Sequence, residues 1–409
     1  MSFTAQDREV LRRLASRVAE IAALPIQAER ARLIKGLNHL KPERPVVLAF
    51  PEGGWRELVT EADLVCRDEL ARTWERHLRS TIFHHQHIGD DRPILPWMNI
   101  RPVIKDSGYG LTETRERTAE VGAMHWDAPV KSREDFLKLH QRRLEVDHAE
   151  TARLVDLAGE VFGGLLGVRR RGMLYWTVGL TQSLVFLRGL DQMMYDMYDH
   201  PSLLHEMMTL LRDDMMHVLD HYEAEGVLSL NNGPDDYVGS GGLGHTDELP
   251  ARDSGGKVRC QDMWVLAESQ ETVGVGPEQF EEFVLRYQLP LMRRFGLVCY
   301  GCCEPLDKRF DLLLANVPNL RRVSISPWCN RELAAQKLGN RYVFSWKPNP
   351  AYVCSPAADW TSAEQAIRDT LRMARGCCLE MILKDTHTFC NDPTRVGRWV
   401  KTALRLAQA

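Results

Sequence analysis

The chain has 409 residues, 44% of them hydrophobic and 26% charged, which suits one large or two ordinary globular domains and excludes a disordered segment. A formal charge of −4 leaves no basic surplus to neutralise phosphates, so nucleic-acid binding is not expected and a small-molecule role is. No apolar run approaches the ~20 residues that span a bilayer, so no membrane partner is expected either.

The first residues carry charges of both signs where an export signal would be basic and then apolar. Ten cysteines, with adjacent pairs at 302/303 and 377/378, read as thiols of a reducing compartment, so a cytoplasmic protein is expected. Helical periodicity covers residues 5–40 with a break at Pro25. The span 1–42 therefore reads as a helical extension of a single domain covering 1–409. A strand is expected at 44–50 and a helix at 56–80. Further strands are expected at 100–104, 172–177, 226–230, 262–266, 297–300, 320–325, 342–345 and 379–383. Helices separate most of them, at 182–198, 201–224, 277–295, 305–315, 330–338 and 362–376. Strands spaced this way need parallel pairing through helical crossovers. Their number and the chain length predict an α/β fold, a (β/α)8 TIM barrel with extra N-terminal helices.

In such a barrel the residues just after each strand meet over one mouth, so the strand ends are where chemistry is sought. They are polar: Asn231-Asn-Gly-Pro-Asp-Asp236, Glu268-Ser-Gln-Glu271, Cys302-Cys-Glu304, Lys347-Pro-Asn-Pro350 and Asp385-Thr-His-Thr-Phe-Cys390. The run Leu297-Val-Cys-Tyr-Gly-Cys-Cys-Glu304 is a buried strand that ends in two thiols and a carboxylate. By pleat alternation Cys302 and Glu304 face one side and Cys303 the other. Cys302, Glu304, His387 and Cys390 have the ligand types of an open zinc site; the plainer alternative is that such thiols are small core residues. Phe83-His-His-Gln-His-Ile-Gly-Asp-Asp91 is a polar loop expected to close over substrate through His85 and Asp91. The run Gly239-Ser-Gly-Gly-Leu-Gly-His245 reads as a mobile lid or, on weaker grounds, an anion cradle. Gln270 and Glu271 follow a hydrophobic strand directly and resist burial unless partnered.

The residues Gln270-Glu271, Gly276-Pro-Glu-Gln-Phe280, Tyr287-Gln288, Tyr300-Gly-Cys-Cys-Glu304, Pro318 to Pro327 and Lys347-Pro-Asn-Pro350 together resemble the uroporphyrinogen decarboxylase superfamily, from about residue 40 onward. The resemblance implies the barrel and one of two chemistries, porphyrinogen decarboxylation or zinc-dependent methyl transfer involving a corrinoid protein. The Arg-Gln-Ala-Gly-Arg segment of true decarboxylases has no counterpart in the first 60 residues. The methyltransferase branch is the better match: Cys302 aligns with its first zinc cysteine and Cys390 is the candidate for its last. Tyr300 stands where that branch has histidine, so Glu304 or His387 would complete the site. The resemblance thus implies a methyl group moved between a small methoxy, methylamino or thiol compound and a corrinoid (cobalamin) carried on a partner protein. Gln270 and Glu271 would be the catalytic side chains, and Asn231, Lys347, His85 and Asp91 would bind substrate. O-demethylation is within that scope, and a homodimer is an open assembly. The alternative is a metal-free decarboxylase or lyase of a small carboxylic acid.

Overall fold

The computed structural model describes residues 3–117, 124–172, 174–251 and 255–409. It is an α/β structure built on one six-stranded parallel sheet. The strands are β1 (Val46–Ala49), β2 (Trp264–Ala267), β3 (Leu297–Tyr300), β4 (Leu320–Ile325), β5 (Val343–Trp346) and β6 (Cys378–Leu383), in the spatial order β1-β6-β5-β4-β3-β2. Most are runs of apolar residues, buried on both faces as parallel strands under helices are, though β4 also carries Arg321, Arg322 and Ser324 and β6 carries Glu380. Val47, Val265, Val298, Val323, Phe344 and Met381 pack outward into the main core with the helices Pro201–Glu225 and Arg286–Met292.

The opposite face of the sheet is filled by a hairpin, Tyr237–Gly239 and Gly242–Leu243, which is the glycine-rich stretch. It is a buried plug, which corrects the lid expected from sequence. Its glycines are spacers: a Cβ on Gly239 would lie 2.6 Å from Leu266 of β2, and one on Gly241 2.6 Å from Ile382 of β6. Ser240, buried in the left-handed region, shares a 3.1 Å hydrogen bond with Ser324 of β4. Below it the fully buried Arg322 pairs with Glu380 at 2.8 Å and donates to Asn38 Oδ1 and the Leu243 carbonyl, so β4, β6, the plug and the helix Pro25–Asn38 are tied through one guanidinium.

Between β1 and β2 the ladder is not continuous among the described residues; both edges are satisfied by other groups. On β1, Val47 N–H donates to Asp91 and Ala49 N–H to Asp90, at 2.9 and 2.8 Å, while Asp91 N–H returns a bond to the Val47 carbonyl. On β2, Asn231 accepts from Trp264 N–H at 2.8 Å and donates to its carbonyl at 3.0 Å, and Val178 N–H reaches the Leu266 carbonyl. Among the described residues, the segments expected as strands at 172–177 and 226–230 therefore join no ladder. The strand expected at 100–104 is split by Arg101-Pro102 into Trp97–Ile100, parallel to Gly167–Arg170, and Val103–Asp106, antiparallel to Leu144–Asp147. Proline lacks the donor a continuous strand needs there.

The N-terminal helix Ala5–Ala22 packs on Glu69–Phe83 and His148–Phe162 around a second core that includes Trp74 and Phe162. The helix expected at 56–80 is interrupted between Leu58 and Glu69. Among the described residues no helix is long and apolar enough to cross a membrane.

A candidate active site at the strand ends

The first residue after β2 is Glu268, after β5 Lys347 and after β6 Lys384, while Gly301 follows β3. Gly301 has φ +94°, and a Cβ there would lie 2.9 Å from Leu306. That left-handed turn ends the pleat. Cys302 and Cys303 consequently sit together, sulfurs 3.5 Å apart, where strict alternation would have put them on opposite faces.

Cys302 is 5% exposed and faces Lys384, whose Nζ lies 4.0 Å from its sulfur. The contact with Cys303 lowers the pKa of Cys302, with Lys384 adding to the effect against burial, and the same contact pushes Cys303 up. Of the two thiols, Cys302 is thus the one more readily deprotonated. At 4.0 Å and an effective dielectric near 20, the ammonium attraction is about 4 kcal/mol before desolvation, enough to matter in a closed site. Lys384 also donates to Asp385 at 2.6 Å and lies 3.9 Å from Glu52, so its own proton is held firmly despite burial. Asp385 and Glu52 both carry positive φ and are joined through Asp385 N–H to Glu52 at 2.7 Å. Non-glycine residues in this region cluster where the surroundings dictate geometry, here the rim of the sheet.

Glu268 is fully buried. Its Oε2 accepts from Gln270 N–H at 3.0 Å and its Oε1 has no hydrogen-bond partner. Burial, then the charges of Glu271 and Glu304, raise its pKa well above the ordinary carboxylate range, which favours the protonated acid. Gly179 packs against it so closely that a Cβ would be 2.5 Å from Oε1. Lys347 donates to Ser345 Oγ at 2.6 Å, and burial pulls its pKa down to about 8, with Glu380 opposing.

The remaining expected site residues have other partners. Glu304 spends its two oxygens on the backbone N–H groups of Ser269 and Cys302, both at 2.9 Å. Cys390 S–H points to the Cys354 carbonyl at 3.3 Å, and His387 lies against Gly53, its carbonyl accepting from Arg56. Tyr300, at the position of the expected histidine, points outward and donates to Gln288 at 2.8 Å. Among the described residues no three His, Cys, Asp or Glu side chains form a group that could hold a metal ion. Two sulfurs 3.5 Å apart suit a tetrahedral zinc, which needs about 3.8 Å. The set Cys302, Glu304, His387 and Cys390 does not fit one, because two of its members are bonded elsewhere and an ammonium already faces Cys302. Gln270 Nε2 approaches Glu271 at 3.4 Å and Glu271 accepts from Thr181 at 2.7 Å, so both stand next to Glu268. Asn231 and Asp91 are the edge-satisfying groups described above, Asp91 also taking a bidentate pair from Arg44. His85 has Arg30 and Arg17 of the N-terminal helices as its charged neighbours.

Glu268, Cys303, Lys384, Asp385 and Glu52 are the members the sequence reading left without a role. Register was the available signal: Glu268, Lys347 and Lys384 each immediately follow a strand. No family profile matches the chain, and no curated protein matches it in sequence.

Proposed function

We propose that the chain is a methyltransferase that takes a methyl group from a small methylated compound and passes it to a corrinoid protein, with Cys302 as the first methyl acceptor. The observation that carries this reading is the buried Cys302 sulfur held between Lys384 and Cys303 at the strand ends, near the buried carboxyl of Glu268 whose Oε1 is unpaired among the described residues. In the forward step an electron pair of the thiolate forms the S–CH3 bond while the donor's carbon–heteroatom bond breaks. The pair from that bond stays on the heteroatom, which takes the proton of Glu268. The methyl then leaves as its bonding pair returns to sulfur, an electron pair of the partner's reduced corrinoid accepts it, and Glu268 recovers its proton from water. Lys384 stabilises the sulfur anion at both ends of the cycle.

The residues quoted above that resemble the uroporphyrinogen decarboxylase superfamily support the same reading. So do the bonds at the two open edges of the sheet, where Asp90 and Asp91 meet β1 and Val178 and Asn231 meet β2, the places at which further strands of a (β/α)8 barrel would lie. The two lysines at the mouth favour one second reading, a metal-free decarboxylase that holds a small carboxylate and protonates the product through Glu268. The test is purified protein incubated with methoxylated donors carrying a labelled methyl. Label on Cys302, located by peptide mass analysis and dischargeable to a reduced corrinoid, is the expected result. Labelled carbon dioxide from a carboxyl-labelled acid, with Cys302 unmodified, overturns it in favour of the second reading.

A further inference from the structure

A cavity of about 390 Å³ opens between β2, the plug and the N-terminal helices, within the ~300–1,000 Å³ range of small-molecule pockets. It abuts the mouth at Tyr237, which lines it and which the charges of Lys384, Cys302 and Glu52 also reach. Its walls include Trp55, Trp97 and Trp176, of which Trp97 is 41% exposed.

The charges in its wall do not balance. Asp236 pairs with Arg171, and Asp235 stands 3.8 Å from Arg169, so each acid has its own guanidinium. The pKa of His77 is lowered by desolvation in the cavity wall and by Arg92. Arg92 is the cation left over: among the described residues its guanidinium makes no hydrogen bond or ion pair and only lies over the ring of Phe50, 5.6 Å from the centroid. Phe50 in turn meets Tyr237 edge-on at 5.8 Å. An unpaired guanidinium on an aromatic ledge beside indole walls suits a flat ring that bears a carboxylate.

We propose that this cavity binds an aromatic carboxylate, its carboxylate on Arg92 and its ring among the tryptophans, with the far side of the ring directed past Tyr237 toward Cys302. This deepens the proposed function and rests on it only for the fate of the methyl group.

The test is calorimetric or tryptophan-fluorescence titration with 4-methoxybenzoate, methoxybenzene and methoxyacetate, on the whole protein and on Arg92→Met and Arg92→Gln. Saturable binding of 4-methoxybenzoate, weakened at least tenfold in both variants while methoxybenzene binds as before, is the expected result; the unchanged methoxybenzene binding also shows that the variants are folded. No saturable binding of 4-methoxybenzoate, or equal binding in the variants, overturns the proposal. Arg92-dependent binding without methyl transfer to Cys302 would uphold the cavity and sink the function. Methyl transfer from methoxyacetate alone, with no aromatic binding, would do the reverse.

Discussion

Asn231 separates two accounts of the same side chain. As a substrate ligand, its loss would raise KM and leave the fold intact. In the structure its amide spans both backbone groups of Trp264, donating at 3.0 Å and accepting at 2.8 Å, on a residue that is 1% exposed. Asn231→Ala removes both bonds and leaves a buried N–H and C=O unpaired. At about 1–3 kcal/mol for each orphaned group, less whatever water recovers from the adjoining cavity, the loss is about 2–4 kcal/mol. Asn231→Asp should be no milder at pH 7, since it keeps the acceptor but sets a carboxylate against a carbonyl. In acid its protonated form can donate, so it should regain part of the difference relative to the wild type, whereas Asn231→Ala should not. Urea unfolding followed by circular dichroism at pH 7 and 5 measures this. An Asn231→Ala variant within 0.5 kcal/mol of wild type, with a raised KM, would refute the edge-satisfying role and restore the substrate contact.

Cys302→Ser should abolish methyl labelling, whereas Cys390→Ser should leave it within about twofold, since the Cys390 sulfur faces only the Cys354 carbonyl; peptide mass analysis of both reads this out. Metal analysis of protein purified without chelator should find less than one equivalent of zinc, and a full equivalent lost in both variants would mean that the ligand set implied by the resemblance assembles. Lys347 has a folded-state pKa of about 8 against 10.5 in a free side chain, so the folded protein binds this proton less tightly than the unfolded chain does. Its charge therefore opposes folding below about pH 8, and that cost vanishes as pH rises through 10.5. Lys347→Met should accordingly be more stable than wild type at pH 7, by roughly 1–3 kcal/mol, with the advantage fading toward pH 10.5 in denaturation midpoints taken across that range.

The strands at 297–300 and 320–325 are expected and found with identical bounds; the first is a continuous apolar run whose burial on both faces leaves little choice of conformation, and the second buries its Arg322 by pairing it with Glu380. The runs at 172–177 and 226–230 carry the same apolar signal but no ladder, because β2's edge is already bonded by Val178 and by the Asn231 side chain. A side chain replacing a strand's hydrogen bonds leaves no periodic trace. The thiol pair was misread for a different reason. Pleat alternation is sound up to Tyr300, and Gly301 then breaks it with a positive φ, so glycine at a strand end marks the point where counting faces fails. Glu304 had the right residue type for a ligand, but a carboxylate one position past two thiols can fold back on its own backbone, and here it bonds the Cys302 and Ser269 amides.

The same gap that defeats strand reading creates the space for a ligand. A closed ladder draws neighbouring strands to about 4.8 Å, and side chains then fill what lies between the walls. Between β1 and β2 the backbone groups are met largely by Asp90, Asp91 and Asn231, with single backbone bonds from Asp91 and Val178, and no continuous ladder closes the gap among the described residues. The wall there consists of side chains standing apart, and the resulting cavity reaches Tyr237 and through it the charges around Cys302. The edge asparagine and aspartates thus act on function at one remove. They bond the strand edges, and Asn231 itself lines the cavity proposed to take the ring.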